Sequence, residues 1–447
     1  MQFEMSDTVN EIRQSVTTSH LPRSSFVQNR VTTPQADVSP GHLLTFLSVC
    51  LFTILLFYRP FEFSPQLSGL SSVVLPLALF TFLLFIVGQL MSSGKFLDLT
   101  TETKCAFVLT IIGIITIPIA SNKQFAIESL RDGLGKISLI FLILTIVVST
   151  LNRYRIMLFI LIGACMLIVF QIFDLYNKGV FKTESYRVST SFGMIGNPNE
   201  ASLFILLFMP LAITSSLFSK SVIFKICGFL TGLAMVVCVM LTQSRGGFLG
   251  LVVITAILTW KLGRNARLKT AVFTLIVALG VIAFAPGNYS NRILAIFDSS
   301  RDEAGSSNER TELLKRSILV TLRNPQGVGL GNSKIFGARN LETHNAFTQV
   351  SSELGIIGLI FYVIFLIYPL RELYRLEQNT TEDPDSRWFY YQSIGLQAGL
   401  GGFLVTSFFA SVAYQWYIYY LIALAIAVRK IYASRGSLPT PSLSNSQ

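Results

Sequence analysis

Residues 306–359 read SSNERTELLKRSILVTLRNPQGVGLGNSKIFGARNLETHNAFTQVSSELGIIGL. This passage decides how the rest of the chain is read. Long apolar runs precede it and resume within it at Leu354. Between them come a helix-start signal, a charged segment, alternating glycines and His344, the only histidine outside the N-terminal part. It belongs to a polar stretch, Ala285–Glu353, in an otherwise hydrophobic chain. The order predicts an extramembrane loop carrying chemistry, mounted on a helical membrane body.

Working outward, the 447 residues are 51% hydrophobic and 13% charged, with a mean hydropathy of +0.58. Many apolar runs approach or exceed the ~18–20 residues that span a bilayer as a helix. In lipid every backbone polar group must be satisfied internally, and runs of this length do so as helices. The predicted fold class is an all-α integral membrane protein. The 36 phenylalanines suit lipid-facing and interfacial surfaces. The net charge of +11 fits a cytoplasmic loop bias and attraction to anionic lipid. Nucleic-acid binding is disfavoured, since no soluble basic domain is present to carry it. Cys50, Cys105, Cys165, Cys227 and Cys238 lie in or at the ends of apolar runs without metal-ligand spacing, and are read as free, inert thiols.

Residues 1–42 are polar and are expected to be a disordered cytoplasmic tail rather than a cleavable signal peptide. His20 and His42, in it or at its edge, are not assigned to chemistry. Twelve spans are predicted: 43–58, 70–91, 105–120, 137–151, 156–173, 201–218, 222–241, 246–260, 270–285, 354–370, 394–411 and 413–428. Together they form a polytopic domain over 43–431, followed by a cytoplasmic tail, 432–447. Pro76, Pro118 and Pro210 fall inside spans and are expected to kink them. With the N-terminus inside, Arg153, Arg155, Lys220, Lys225, Lys261, Arg264, Arg267, Lys269 and the basic residues of 371–387 and 429–435 fall on cytoplasmic loops and the tail. The short loops on the other side are poorer: Arg59 stands alone and Ser411–Trp416 has no basic residue. The positive-inside rule therefore predicts both termini in the cytoplasm and the loop 286–353 outside, with loop 174–200 and the turn at Arg245.

Four features of these outer segments bear on chemistry. Arg245, in LTQSRGGFLGL, stands where two spans meet with almost no loop. An arginine in hydrocarbon costs roughly 2.5–3.5 kcal/mol, so it either snorkels or meets a partner or aqueous cavity. Gly246, Gly247 and Gly250 leave room for close helix approach or a bulky ligand. Ser306 and Glu309 have capping-box spacing. Leu313, Leu314, Ile318 and Leu322 then share roughly one face, and Asn324–Pro325 ends the segment. This predicts an amphipathic helix on the membrane surface, Ser306–Arg323. Arg310, near its positive end, either binds an anion or is simply solvated. The glycines of Gly327–Asn332 could expose amides to a phosphate or merely connect. His344 can act as a general base near neutral pH, with Glu342 beside it in sequence. No other histidine is near, so no metal site is implied.

Taken together, TQSRGGFLGL (242–251), ERTELLKRSILVTLRNPQGVGLG (309–331), THNAFTQVSSELGIIGLIFYVIFL (343–366) and the upstream GMIGNPNEASLFILLFMPLA (193–212) resemble the O-antigen ligase and polymerase family of bacterial polysaccharide enzymes. The likeness covers residues 190–370 well and the rest only as hydrophobic topology. It implies a GT-C-like membrane glycosyltransferase of about twelve transmembrane helices in the bacterial cytoplasmic membrane. Its expected donor is a glycan on undecaprenyl diphosphate and its acceptor lipid A-core or a growing polysaccharide. No cofactor and no obligatory metal are implied, and inversion at the anomeric carbon is expected. Carried over by motif, Arg245 and Arg310 would hold the diphosphate and His344 would serve as base or position the acceptor. Lys315, Arg316 and Arg339 are possible secondary phosphate contacts. Two other classes compete: a transporter of a small solute such as bicarbonate, and a non-catalytic scaffold. The spans as drawn contain no Asp or Glu, which counts against a proton- or cation-coupled carrier.

Overall fold

The computed structural model describes residues 42–63, 65–91, 99–180, 187–188, 195–264, 267–269, 271–272, 275, 306–337, 341–380 and 386–436. Residues 1–41 and 437–447 of the expected tails, most of the 270–285 span, the loop up to residue 305 and Arg339 lie outside these, whereas 432–436, expected as tail, continue the last helix. The described residues are helical, with no β-strand among them. In chain order the main helices are α1 Leu43–Tyr58, α2 Leu70–Leu90, α3 Thr101–Ile115, α4 Lys123–Ser129, α5 Gly135–Val147, α6 Leu151–Asn177, α7 Pro198–Phe218, α8 Val222–Leu241, α9 Arg245–Leu262, α10 Ser306–Arg323, α11 Ala346–Thr380, α12 Arg387–Thr406 and α13 Trp416–Gly436. Among the described residues eight helices are long and apolar enough to cross a membrane. The chain is a multi-pass, all-α membrane protein. Helices α3, α5 and α12 coincide with predicted spans but are shorter or less apolar.

Two helices form the centre. In α13 every residue from Tyr417 to Val428 is buried, and in α7 every residue from Ala201 to Ala212. By contrast α2 and α8 turn large apolar side chains outward, among them Leu79, Leu83, Ile223 and Phe229. Those suit lipid, whose tails are as apolar as the protein interior, so helix association needs close packing instead. On α12, Gly395 and Gly399 supply it with a small-residue spacing of four. A Cβ on Gly399 would lie 2.5 Å from the Leu207 carbonyl oxygen of α7. Gly250 of α9 likewise lets Thr406 of α12 come close. The glycines after Arg245 therefore serve helix approach.

Three expectations change. Pro76 and Pro210 lie inside α2 and α7, but Pro118 lies beyond the end of α3, in the turn that follows Ile115. The long break is instead at Gly355 in α11, at φ 74° and ψ −175°, a conformation open essentially to glycine. The helices also run past the drawn spans and carry buried acids: Glu102, Glu353 and Glu377. Glu102 pairs with Arg429. Glu377 pairs with Lys261 at 2.5 Å and accepts a hydrogen bond from Gln397 at 2.9 Å. Buried acids are thus present in the helices, contrary to the expectation from the drawn spans.

The break in α11 explains the glycine run. A broken helix leaves carbonyls without amide partners, and in a membrane protein these must be satisfied by the protein. The Val328 amide donates to the Ser352 carbonyl at 2.9 Å, the Gly329 amide to that of Glu353 at 3.0 Å, and the Ile356 amide to that of Pro325 at 3.0 Å. Gly327, Gly329 and Gly331 all have positive φ. A Cβ on Gly327 would collide with the Glu353 carbonyl, and one on Gly355 with that of Pro325. Two of the amides that might have cradled a phosphate are spent splicing the loop onto α11; the connector reading is the right one.

Candidate active site

The site is built from helix starts that meet at one end of the bundle. At α9, Ser244 is the N-cap: its hydroxyl accepts from the Gly247 amide at 3.1 Å and donates to Asn199 Oδ1 at 2.8 Å. Asn199 sits in the first turn of α7, capped by Asn197. Arg187 donates to the same Asn199 oxygen at 2.9 Å and to the Thr242 carbonyl at 3.3 Å. Arg245, half-buried, is the first residue of α9. Two helix N-termini and two guanidinium groups thus share one patch, the electrostatic setting that favours an anion. Sequence reading missed Arg187 and Asn199. Their signal was present: a basic residue on the expected outer loop, and the asparagine of GNPNE.

His344 lies just before the third such start. Its backbone is left-handed, at φ 51°, an unusual state for a non-glycine residue. Neighbours hold it there. The His344 amide donates to Ser411 Oγ at 2.8 Å. Asn345 caps α11, accepting from the amides of Phe347 at 2.9 Å and Thr348 at 3.0 Å, and its own amide group donates to the Phe408 carbonyl at 3.3 Å. The Phe347 and Phe408 rings stand 4.5 Å apart. The turn Ser407–Phe409 also meets α9, where a Cβ on Gly246 would lie 3.0 Å from Phe409 Cβ. The starts of α9, next to Arg245, and of α11, next to His344, therefore meet the same turn.

Burial lowers the His344 pKa below its ordinary 6.5. The charge of Arg310 lowers it further, and Glu309 opposes both. The imidazole is neutral at pH 7 and free to accept a proton. The acidic influence on it comes from Glu309 of α10, not from Glu342 next to it in sequence. Helix α10 has the predicted bounds and packs on α11, where Thr321 and Ser351 share a hydrogen bond of 2.9 Å. Its expected single face divides in two. Leu313 and Ser317 are buried, while Leu314, Ile318 and Leu322 form an outward row at i, i+4 spacing. Of the secondary candidates, Lys315 is exposed. Arg316 forms a 2.8 Å surface pair with Glu312, a solvated arrangement of little energetic weight. Among the described residues no group of His, Cys, Asp or Glu is placed to hold a metal ion.

Residues 230–363 match the family described as O-Antigen ligase. This part of the chain is similar to that family. The matched O-antigen ligase segment runs from within α8 into α11 and contains Arg245, Arg310 and His344 together. An O-antigen polymerase from Salmonella muenchen is 27% identical over 139 residues, which are 29% of this chain and 34% of that protein. The alignment thus spans about a third of the relative's length.

Proposed function

We propose that this protein is a glycosyltransferase that moves a glycan from undecaprenyl diphosphate to an acceptor hydroxyl outside the bacterial cytoplasmic membrane, as an O-antigen ligase or a polysaccharide polymerase. The reading is supported by the meeting of the α9 start, through Gly246, and the α11 start, through Asn345, at the Ser407–Phe409 turn, with the charge of Arg310 acting on His344. Both termini are cytoplasmic in this reading, and the outward row on α10 rests on the membrane surface.

In this reading Arg245 and Arg310 hold the donor diphosphate through bidentate hydrogen bonds. They stabilise the charge that grows on it as the bond to the anomeric carbon breaks. The acceptor oxygen forms the new bond from the opposite face, inverting that centre. His344 takes the hydroxyl proton, and the diphosphate leaves with the bonding electron pair. Lipid A-core or a growing polysaccharide is the acceptor. No cofactor and no metal ion has a step in this scheme.

The test is a deletion strain complemented with wild type, His344→Ala or Arg310→Ala at equal expression. Surface glycan is sized on gels and the lipid-linked precursor pool measured. The reading predicts failed complementation with accumulated precursor. Loss of long chains with single units still attached then indicates a polymerase; loss of all attached glycan with full-length lipid-linked chains indicates a ligase. Full complementation by both variants, or bicarbonate uptake into vesicles unaffected by Arg245→Ala and His344→Ala, would overturn it.

A further inference from the structure

Arg187 has no part in the chemistry above, yet the fold ties it to the start of α9. Its segment lies along the end of α8. Val188 is buried, and its amide meets the Leu241 carbonyl at 3.5 Å. Arg187 Nε donates to the next carbonyl, that of Thr242, at 3.3 Å. Gln243 then takes a left-handed backbone, at φ 50°, and the chain enters α9 through Ser244.

Asn199 is the joint between the two. Its Oδ1 accepts from Arg187 Nη2 at 2.9 Å and from Ser244 Oγ at 2.8 Å. Sharing one acceptor holds the guanidinium against Ser244, the residue before Arg245. Asn199 is itself fixed on both sides of its peptide. Its amide donates to Asn197 Oδ1 at 2.9 Å, and Ser202 Oγ donates to its carbonyl at 2.8 Å. The same Ser202 packs on α9, where a Cβ on Gly247 would lie 2.8 Å from Ser202 Oγ. The starts of α7 and α9 are thus locked together, and Arg187 with them.

A cation at the end of a helix is favourable, and through the Thr242 carbonyl Arg187 caps α8. The cap needs only that bond. The second one, to Asn199, sets the plane of the guanidinium and brings it to the α9 start. Both of these partners are neutral oxygens, so they orient the planar fork without adding negative charge to the patch. A guanidinium held in this way has little side-chain freedom left to lose on binding, which favours the bidentate capture of a phosphate. A diphosphate offers two anionic groups, so Arg187 and Arg245 can engage it together.

We propose that Arg187 is a third cation of the donor diphosphate site and that Asn199 is the positioning residue that aims it at the start of α9. The assignment rests on the glycosyltransferase reading, and the test separates the two. The full-length protein in lipid nanodiscs is titrated with inorganic pyrophosphate by calorimetry. Donor KM, kcat and thermal unfolding are measured on the same preparations. Arg187→Ala is expected to weaken pyrophosphate binding and raise the donor KM about tenfold, with kcat changed less. Arg187→Lys recovers part of that loss. Asn199→Asp gives the sharper contrast. Its carboxylate still accepts from Arg187 and Ser244, so unfolding stays at or above the wild-type temperature, yet the added negative charge weakens pyrophosphate binding about tenfold. If Arg187 only caps α8, Arg187→Ala unfolds earlier while its binding and KM equal those of wild type. That result, or wild-type binding and KM in Asn199→Asp, overturns the assignment. Asn199→Asp decides the matter should Arg187→Ala fail to fold, and the donor KM decides it by the same criteria should pyrophosphate bind too weakly to measure. Binding weakened in these variants, with no transfer by wild type, supports the site and overturns the enzyme reading. Neither binding nor transfer by wild type overturns both.

Discussion

The two ends of the bundle treat buried charge in opposite ways. At the end where α9, α11 and α13 finish and α3 begins, Arg429 is closed onto Glu102 and Lys261 onto Glu377. At the end where α9, α11 and α13 begin, Glu353 is buried with neutral hydrogen-bond partners, Ser333 and Tyr414, and His344 is held neutral by burial and the charge of Arg310. A buried ion left uncompensated is strongly destabilising. The first end therefore reads as architecture, whereas the second holds the candidate site.

Breaking the closed end should have the largest effect on stability. Glu102→Ala leaves the Arg429 guanidinium without its carboxylate and is expected to cost about 3–5 kcal/mol. Thermal unfolding in detergent should show it, with the transfer rate per folded molecule unchanged. At the open end the balance reverses. Arg245→Ala should leave unfolding within about 1 kcal/mol of wild type yet slow transfer by roughly 10²–10³-fold, measured with purified donor. A stability loss equal to that of Glu102→Ala, with transfer preserved, would remove the distinction between the ends. Smaller again is the splice in α11. Gly355→Ala should cost on the order of 1–3 kcal/mol from a backbone conformation essentially confined to glycine, collision with the Pro325 carbonyl included, and is checked by the same unfolding assay.

The pattern of helices was legible in the sequence because lipid demands long apolar runs. Predicted spans on described residues coincide with helices, several of them to within a residue: 43–58, 222–241 and the surface helix 306–323. The ends of the others were not legible. Hydropathy stops at the first charged residue, so Glu102, Glu353 and Glu377 were assigned to loops although helix and burial continue through them. Which helix is central was equally hidden, since α13 and α8 are both apolar and only packing separates them. Arg245, Arg310 and His344 stood out as charged or titratable groups in quoted motifs. The partners that shape the site, Asn199 and Ser411, are ordinary polar residues far apart in sequence. Only the fold brings them to the same end.

The finest prediction concerns pH. His344 has a pKa below 6.5 through burial and the charge of Arg310, so the base form persists as pH falls through neutrality. Transfer by wild type should be flat from about pH 8 to 6.5 and decline only below that, approaching tenfold per pH unit. Arg310→Ala removes one cause of the lowered pKa and should move the decline to higher pH. A shift to lower pH would contradict the electrostatic link between α10 and His344.

The most direct test of the central claim is the transfer rate of purified His344→Ala with saturating lipid-linked donor, alongside unfolding and donor binding. The account predicts a loss of about 10²–10⁴-fold in rate, with unfolding and donor affinity close to wild type. A His344→Ala protein that transfers glycan within a few-fold of the wild-type rate would contradict it, and the neutral histidine at the start of α11 would then be structural.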